Sequence, residues 1–124
     1  MEYKNVYEKE FIEFMREKGV FTKSFEDYIK DKVKVVDYEL FNGYWGCFPK
    51  VDNDILVDIR VIVPYIIDKK TLLINIHEYM HAKRLYSRLG KRYSENINIE
   101  EKVVSNMEKV YLKNSSVWTI FLFL

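Results

Sequence analysis

The chain is poor in cysteine, glycine and proline, with one, four and two of them among its 124 residues. The lone Cys47 excludes an intramolecular disulfide and a zinc site built from several cysteines, and it favours a reducing, cytoplasmic location. Neither sign of charge predominates, since 20 Lys and Arg oppose 19 Asp and Glu, which leaves a net charge of +1. This balance gives no support for nucleic-acid binding, which relies on a strongly basic face.

Long hydrophobic runs are missing apart from residues 117–124, in which only Thr119 is polar. Eight residues of helix extend about 12 Å, which is far less than the roughly 30 Å of a bilayer's hydrocarbon core. We therefore predict no membrane span, and the charged N-terminus gives no sign of a targeting segment. The apolar tail, residues 115–124, must be covered by the protein's own cleft or by self-association with a second chain, unless it is a helix end or a disordered extension.

The remaining composition, 48% hydrophobic and 31% charged, is typical of one globular domain, which we assign to residues 1–114. Periodicity and end signals predict four helices, over 2–18, 24–31, 71–89 and 99–113. Strand patterns cover 33–40, 44–48 and 55–63, with turn signals at Asn42-Gly43 and at 51–54. We therefore predict an α+β fold: a small, mainly antiparallel sheet with an N-terminal helix and two C-terminal helices.

Particular residues mark the ends of these elements. Gly19 should end the first helix, and a capping box at Ser24 should open the second. In the strand over 55–63, alternation assigns Ile55, Val57, Ile59, Val61 and Val63 to one buried face. The long third helix should begin at Asp68 or Thr71 and end at Gly90.

That third helix contains the sequence His77-Glu78-Tyr79-Met80-His81, an HExxH motif that holds both histidines of the chain. Side chains at positions i and i+4 of a helix are neighbours, so the two imidazoles can share one tetrahedral Zn²⁺. Glu78 lies about 100° round the helix from His77, where a general base for a zinc-activated water belongs. The alternative is a pair of hydrogen-bonded helix histidines without a metal.

A catalytic zinc takes three protein ligands and leaves a fourth position open. Because the chain has no third histidine, the remaining ligand must be a carboxylate or Cys47. Glu100 and Glu101 stand on the last predicted helix, and the apolar stripe of that helix favours Glu100. Cys47 as a fourth ligand would instead close the site, as in a structural zinc centre.

From about residue 55 to residue 112, the HExxH motif and the distal glutamate resemble the gluzincins, the thermolysin-like metallopeptidases. The short chain also resembles their minimal soluble members, the minigluzincins. The family's third ligand is a Glu about twenty residues past the second His, which implies Glu101, with Val104 and Ser105 in register. Ser105 stands where the family carries an Asp that orients a ligand histidine, so the support of the site should be weaker or different here.

The resemblance implies a zincin-like fold and a zinc endopeptidase with one Zn²⁺ per chain, held by His77, His81 and Glu101, and with Glu78 as catalytic base. It implies a peptide or protein substrate lying along the strand over 55–63, which would be a sheet edge. It also implies latency, as in a zymogen, if the tail fills the cleft. The alternative function is a catalytically silent, zinc-binding regulatory or interaction module of the same fold.

Tyr93 and the pair Arg84 and Arg88 can each be interpreted in two ways. Tyr93 lies in the loop between the last two helices, where thermolysin-like enzymes have a tyrosine that assists the oxyanion, but in a tyrosine-rich chain it can equally serve packing. Arg84 and Arg88 lie one turn apart after His81, and they either form a solvated face or bind a substrate carboxylate.

Overall fold

The computed structural model describes residues 8–40, 44–94 and 96–113. In chain order the elements are α1 (Glu8–Glu17), α2 (Lys23–Ile29), β1 (Val33–Val36), β2 (Gly46–Asp52), β3 (Ile55–Pro64), α3 (Lys69–Tyr86) and α4 (Ile97–Lys113). The predicted α+β class is confirmed. The tail over 115–124, the Asn42-Gly43 turn and the first residues of the predicted N-terminal helix lie outside the described residues.

The three strands form a mixed sheet in the order β1-β3-β2. β1 runs parallel to β3, and β2 runs antiparallel to it. The expected strand before Pro49 therefore pairs with β3 rather than with β1, and it continues through Pro49, which an edge strand tolerates. The prediction that the strand over 55–63 is a sheet edge is wrong, because β3 is paired on both sides. The edge strands are β1 and β2, and β2 forms a hairpin with β3.

A bulge in β3 corrects the predicted buried face of this strand. Lys50 pairs with Asp58 and Val51 pairs with Leu56, so Val57 is an extra residue without its own partner. The bulge shifts the alternation by one residue: Leu56 is buried, whereas Val57 is 46% exposed. Beyond the bulge, Ile59, Val61 and Val63 face the core as predicted.

The core lies between the sheet and the helices α1, α2 and α3. Its fully buried side chains are large and apolar, namely Phe14, Met15, Phe25, Leu56, Ile59, Val61, Val63, Ile66, Leu72, Ile76 and Met80, with Val104 from α4. Edge-to-face and tilted contacts between aromatic rings, such as Phe11 with Phe21, tie α1 to the segment before α2. This core fixes α3, and with it the HExxH motif, against the sheet.

The start of α3 is fixed by polar contacts to its first turn and to β3. Asp68 is the N-cap: its side chain accepts from the Thr71 backbone N–H, and the Thr71 side chain completes a capping box. The buried amide of Asn75 donates to the carbonyls of Pro64, at 2.8 Å, and Thr71, at 2.9 Å. The predicted end of this helix at Gly90 is wrong, because α3 ends at Tyr86 with Ser87 as its C-cap, and Gly90, with a φ of 79°, lies in the turn that follows.

The predicted cap of the second helix is wrong by two residues. Thr22, in extended conformation, is the N-cap of α2, and its hydroxyl accepts from the Phe25 backbone N–H at 3.3 Å. Within the described ranges, none of the helices combines the length and apolarity needed to cross a membrane.

Candidate metal centre

The two histidines of the HExxH motif lie one turn apart on α3, on the side that faces α4. Their Nε2 atoms are 3.1 Å apart. Each ring is largely covered, with 22% of the His77 side chain and 13% of the His81 side chain exposed. The adjacent nitrogens are therefore held in a partly dry cleft between two helices.

Glu101 of α4 bridges the two imidazoles. One carboxylate oxygen lies 2.9 Å from His77 Nε2 and the other lies 2.9 Å from His81 Nε2. Glu78 also belongs to the cluster, since ligand atoms of His77, Glu78 and His81 all lie within 4.8 Å of one another. Its oxygen is nevertheless 4.0 Å from His77 Nε2. Distance thus favours Glu101 over Glu78 as the third donor.

Glu100, the rival third ligand, points to different partners. Its oxygens accept from Arg84 Nε at 2.9 Å and from Arg88 Nη2 at 2.8 Å. These hydrogen bonds, led by Arg84, lower the pKa of Glu100 to about 2. Arg84 and Arg88 therefore bind a carboxylate of the protein itself, instead of forming a solvated face.

Glu108 is a residue of this site that the sequence analysis missed. Its carboxylate lies 3.0 Å from His77 Nδ1, the nitrogen on the far side of the ring from Glu101. An acceptor at Nδ1 fixes the ring and leaves Nε2 for a metal. Glu108 follows Glu101 by two helical turns, and this spacing was the available signal. The orienting contact to a ligand histidine therefore comes from Glu108, one turn beyond the Ser105 position at which the family carries its Asp.

Glu78 is the buried carboxylate beside this cluster, with 11% of its side chain exposed. Burial, opposed by the neighbouring His77 and aided by the Glu101 and Glu108 carboxylates, raises the pKa of Glu78 to about 7. A carboxyl whose pKa lies near neutrality can both accept and release a proton at that pH. These are the properties required of a general base that later acts as an acid.

A cavity of about 270 Å³ opens next to these groups. Its lining includes Glu78, His81 and Glu101 of the candidate site. Residues 45–49, which comprise the start of β2 and the residue before it, also line it, together with Leu85 and Tyr93. Tyr93 thus lies at the same cavity as Glu78. A Cβ on Gly46 would approach Phe48 Cζ to 3.1 Å and Glu78 Oε2 to 3.6 Å, so glycine keeps the space open there.

Cys47 lines the same cavity. Burial, with a smaller contribution from the Glu78 charge, raises the pKa of its thiol to about 12, so without a metal the side chain is a neutral thiol at neutral pH.

The donor set fits a catalytic zinc. Two nitrogen ligands of a tetrahedral zinc lie roughly 3.3 Å apart, close to the 3.1 Å between the two Nε2 atoms. Two imidazoles and one carboxylate form a known catalytic ligand set that leaves a position open. Without a metal, the same side chains form an ion-pair network, in which Glu108 raises the pKa of His77 to about 9.

Comparison of the chain with protein-family models, with curated proteins and with solved structures finds no significant match. The chemistry of the site therefore rests on the residues and distances described above.

Proposed function

We propose that this chain is a zinc-dependent endopeptidase of minimal gluzincin type. The observation that carries the proposal is the placement of Glu101 at 2.9 Å from both Nε2 atoms of the HExxH histidines. A buried Glu78 beside an open cavity adds the second requirement of the reaction. The substrate is a peptide or protein, and the cavity beside Glu78 receives it.

His77, His81 and Glu101 hold the zinc, and Glu108 keeps the His77 ring in the orientation that presents Nε2. When bound, Zn²⁺ supplies Lewis-acid chemistry, which polarises a carbonyl and lowers the pKa of water from 15.7 to about 7. Glu78 takes the proton from the attacking water onto its carboxylate and then donates it to the leaving amine. Burial of Glu78, whose side chain is 11% exposed, favours this exchange because it raises the proton affinity of the carboxylate.

The first experiment is metal analysis of protein purified without a metal-affinity tag, for the wild type and Glu101→Ala in parallel. We expect about one zinc per chain in the wild type and loss or weakening in the variant. A wild type that contains no zinc and refuses added zinc would overturn the proposal. Glu26→Ala, which removes a carboxylate from the Arg16 ion pair, should retain zinc.

The second experiment separates binding from chemistry. Glu78→Gln should keep its zinc and lose peptide hydrolysis by about 10²-fold or more, because the amide cannot accept the proton. Hydrolysis at the wild-type rate in this variant would contradict the assigned base. Zinc bound without hydrolysis in the wild type would instead support the alternative of a silent zinc-binding module.

Latency through the apolar tail is a part of the proposal that comes from the sequence alone. Removal of residues 115–124 should then raise peptide hydrolysis by the zinc-loaded protein. If the truncated chain binds zinc, remains folded and hydrolyses no faster than the full chain, the tail has no inhibitory role.

A further inference from the structure

The contact between α3 and α4 is an ordered row of polar pairs. Along α3 and the turn that follows it, the participating side chains are His77, His81, Arg84 and Arg88. Their partners on α4 come in the reverse order: Glu108 contacts His77, Glu101 contacts both histidines, and Glu100 contacts both arginines. The two helices are therefore matched along their length by charge as well as by apolar packing.

The pairs at the arginine end are independent of any metal. Arg84 donates through Nε and Nη2 to the two oxygens of Glu100, at 2.9 and 3.1 Å, and Arg88 adds a third hydrogen bond at 2.8 Å. The Glu100 side chain is only 19% exposed. A fork of this kind is directional, because two parallel N–H groups fix the plane of the carboxylate.

In the described part of the chain, the apolar contact of α4 with the core includes Val104, which is fully buried, and Met107, which is partly buried. Both adjacent glutamates, Glu100 with 19% and Glu101 with 53% of the side chain exposed, line the cavity beside His81. Consecutive residues on a helix are about 100° apart. A turn of α4 by one residue about its axis would carry Glu100 to the histidines and Glu101 away from them.

We propose that Arg84 and Arg88 are positioning residues for the metal centre, because they hold Glu100 and so present Glu101 to the histidines. This inference rests on the proposed zinc site and explains how one of two adjacent glutamates becomes the ligand. Release of Glu100 from the arginines supplies the site with a second, competing carboxylate.

A mutant cycle scored by Zn²⁺ affinity tests this role. Four full-length proteins are titrated with Zn²⁺ against a competing chelator: wild type, Glu101→Ala, Arg84→Gln/Arg88→Gln, and the triple variant. In the wild-type background, Glu101→Ala should weaken zinc binding by about 10- to 100-fold. In the Arg84→Gln/Arg88→Gln background, the loss of zinc affinity caused by Glu101→Ala should be at least about tenfold smaller, because the released Glu100 replaces the lost ligand.

Rescue of this kind is not expected from arginines that merely stabilise the fold. The matched control is Arg16→Gln, which breaks the Arg16–Glu26 ion pair far from the site and should leave the cost of Glu101→Ala unchanged. Circular dichroism at the titration temperature verifies that all variants are folded. An equal cost of Glu101→Ala in both backgrounds overturns the positioning role alone, whereas a wild type that binds no zinc overturns the proposed function as well.

Discussion

The two sides of α3 are held by opposite kinds of interaction. Towards the sheet and α1, α3 packs Leu72, Ile76 and Met80 into a core in which the largest side chains are fully buried. Towards α4 it presents histidines and arginines that meet carboxylates. The two faces of α3 therefore have different roles: the apolar face contributes most to the stability of the fold, and the polar face sets the geometry of the site.

The physical difference lies in directionality. Apolar burial is roughly proportional to area and does not depend on a particular contact angle. Hydrogen bonds between charged groups, such as that of Arg84 with Glu100, require short distances and defined planes. A fold stabilised mainly by apolar burial can therefore remain stable when substitutions among the directional hydrogen bonds alter the site.

The largest expected effect is in the core against which the apolar face of α3 packs. Phe14→Ala removes a core ring that is 1% exposed, and we expect the free energy of unfolding to fall by about 3–5 kcal/mol. Urea denaturation of the metal-free protein measures this loss. Leu40→Ala, at a side chain that is 76% exposed, is the control and should change stability by about 0.5 kcal/mol or less. Equal effects of the two changes would contradict the described core.

The next effect is on the polar face. Glu108→Ala removes the acceptor at His77 Nδ1, and we expect zinc affinity to fall by about 10- to 100-fold. A competitive Zn²⁺ titration gives the value, with the exposed Lys109→Ala on the same helix as control. Wild-type affinity in Glu108→Ala would mean that the ring needs no such support.

The smallest effect is the acid response of the arginine fork. The Arg84 and Arg88 hydrogen bonds hold the pKa of Glu100 at about 2, below its ordinary 4.5. A lowered folded-state pKa stabilises the protein above the ordinary value, and this stabilisation is lost as pH falls from about 4.5 towards 2. Glu100→Gln should therefore lower stability at neutral pH, by about 1 kcal/mol for this partly exposed group, with the difference from wild type vanishing near pH 2.

Urea unfolding across this pH range measures the difference, and a second carboxylate provides the control. The Lys32 hydrogen bond holds the pKa of Asp58 on β3 at about 2 as well. Asp58→Asn should reduce the loss of stability between about pH 4.5 and pH 2 but leave zinc affinity unchanged. Glu100→Gln should alter both the acid dependence of stability and the zinc affinity. A Glu100→Gln difference that persists undiminished at pH 2 would contradict the ion pair.

The local features of this site were predictable because they follow from helical geometry. The i, i+4 spacing of His77 and His81 specifies neighbouring imidazoles, and the Asp68 cap begins the helix that carries them. The register of the gluzincins also singled out Glu101 from its neighbour Glu100. The histidine pair and the cap need only residues close together in sequence, whereas the choice of Glu101, 24 residues from His77, came from the family's register.

The remaining features depend on contacts between distant parts of the chain. Strand alternation does not reveal the extra residue Val57, which is set by pairing with β2, or the central place of β3, which is set by pairing with both β1 and β2. The two-turn spacing from Glu101 marks Glu108 as a candidate, but its contact with His77, 31 residues away, depends on how α3 and α4 are aligned. The arginines were misjudged for the same reason, as their partner Glu100 lies on the other helix.

The missing side chain at Gly46 has a consequence for how this protein can diversify. One added methyl group would press on the Phe48 ring and come within van der Waals contact of the Glu78 carboxylate. Substitutions at this single position can therefore narrow the cavity beside Glu78 while every proposed ligand stays in place. If the proposed function holds, the size of molecule that the cavity accepts can change by one-residue steps, without any change in the helices that form the centre.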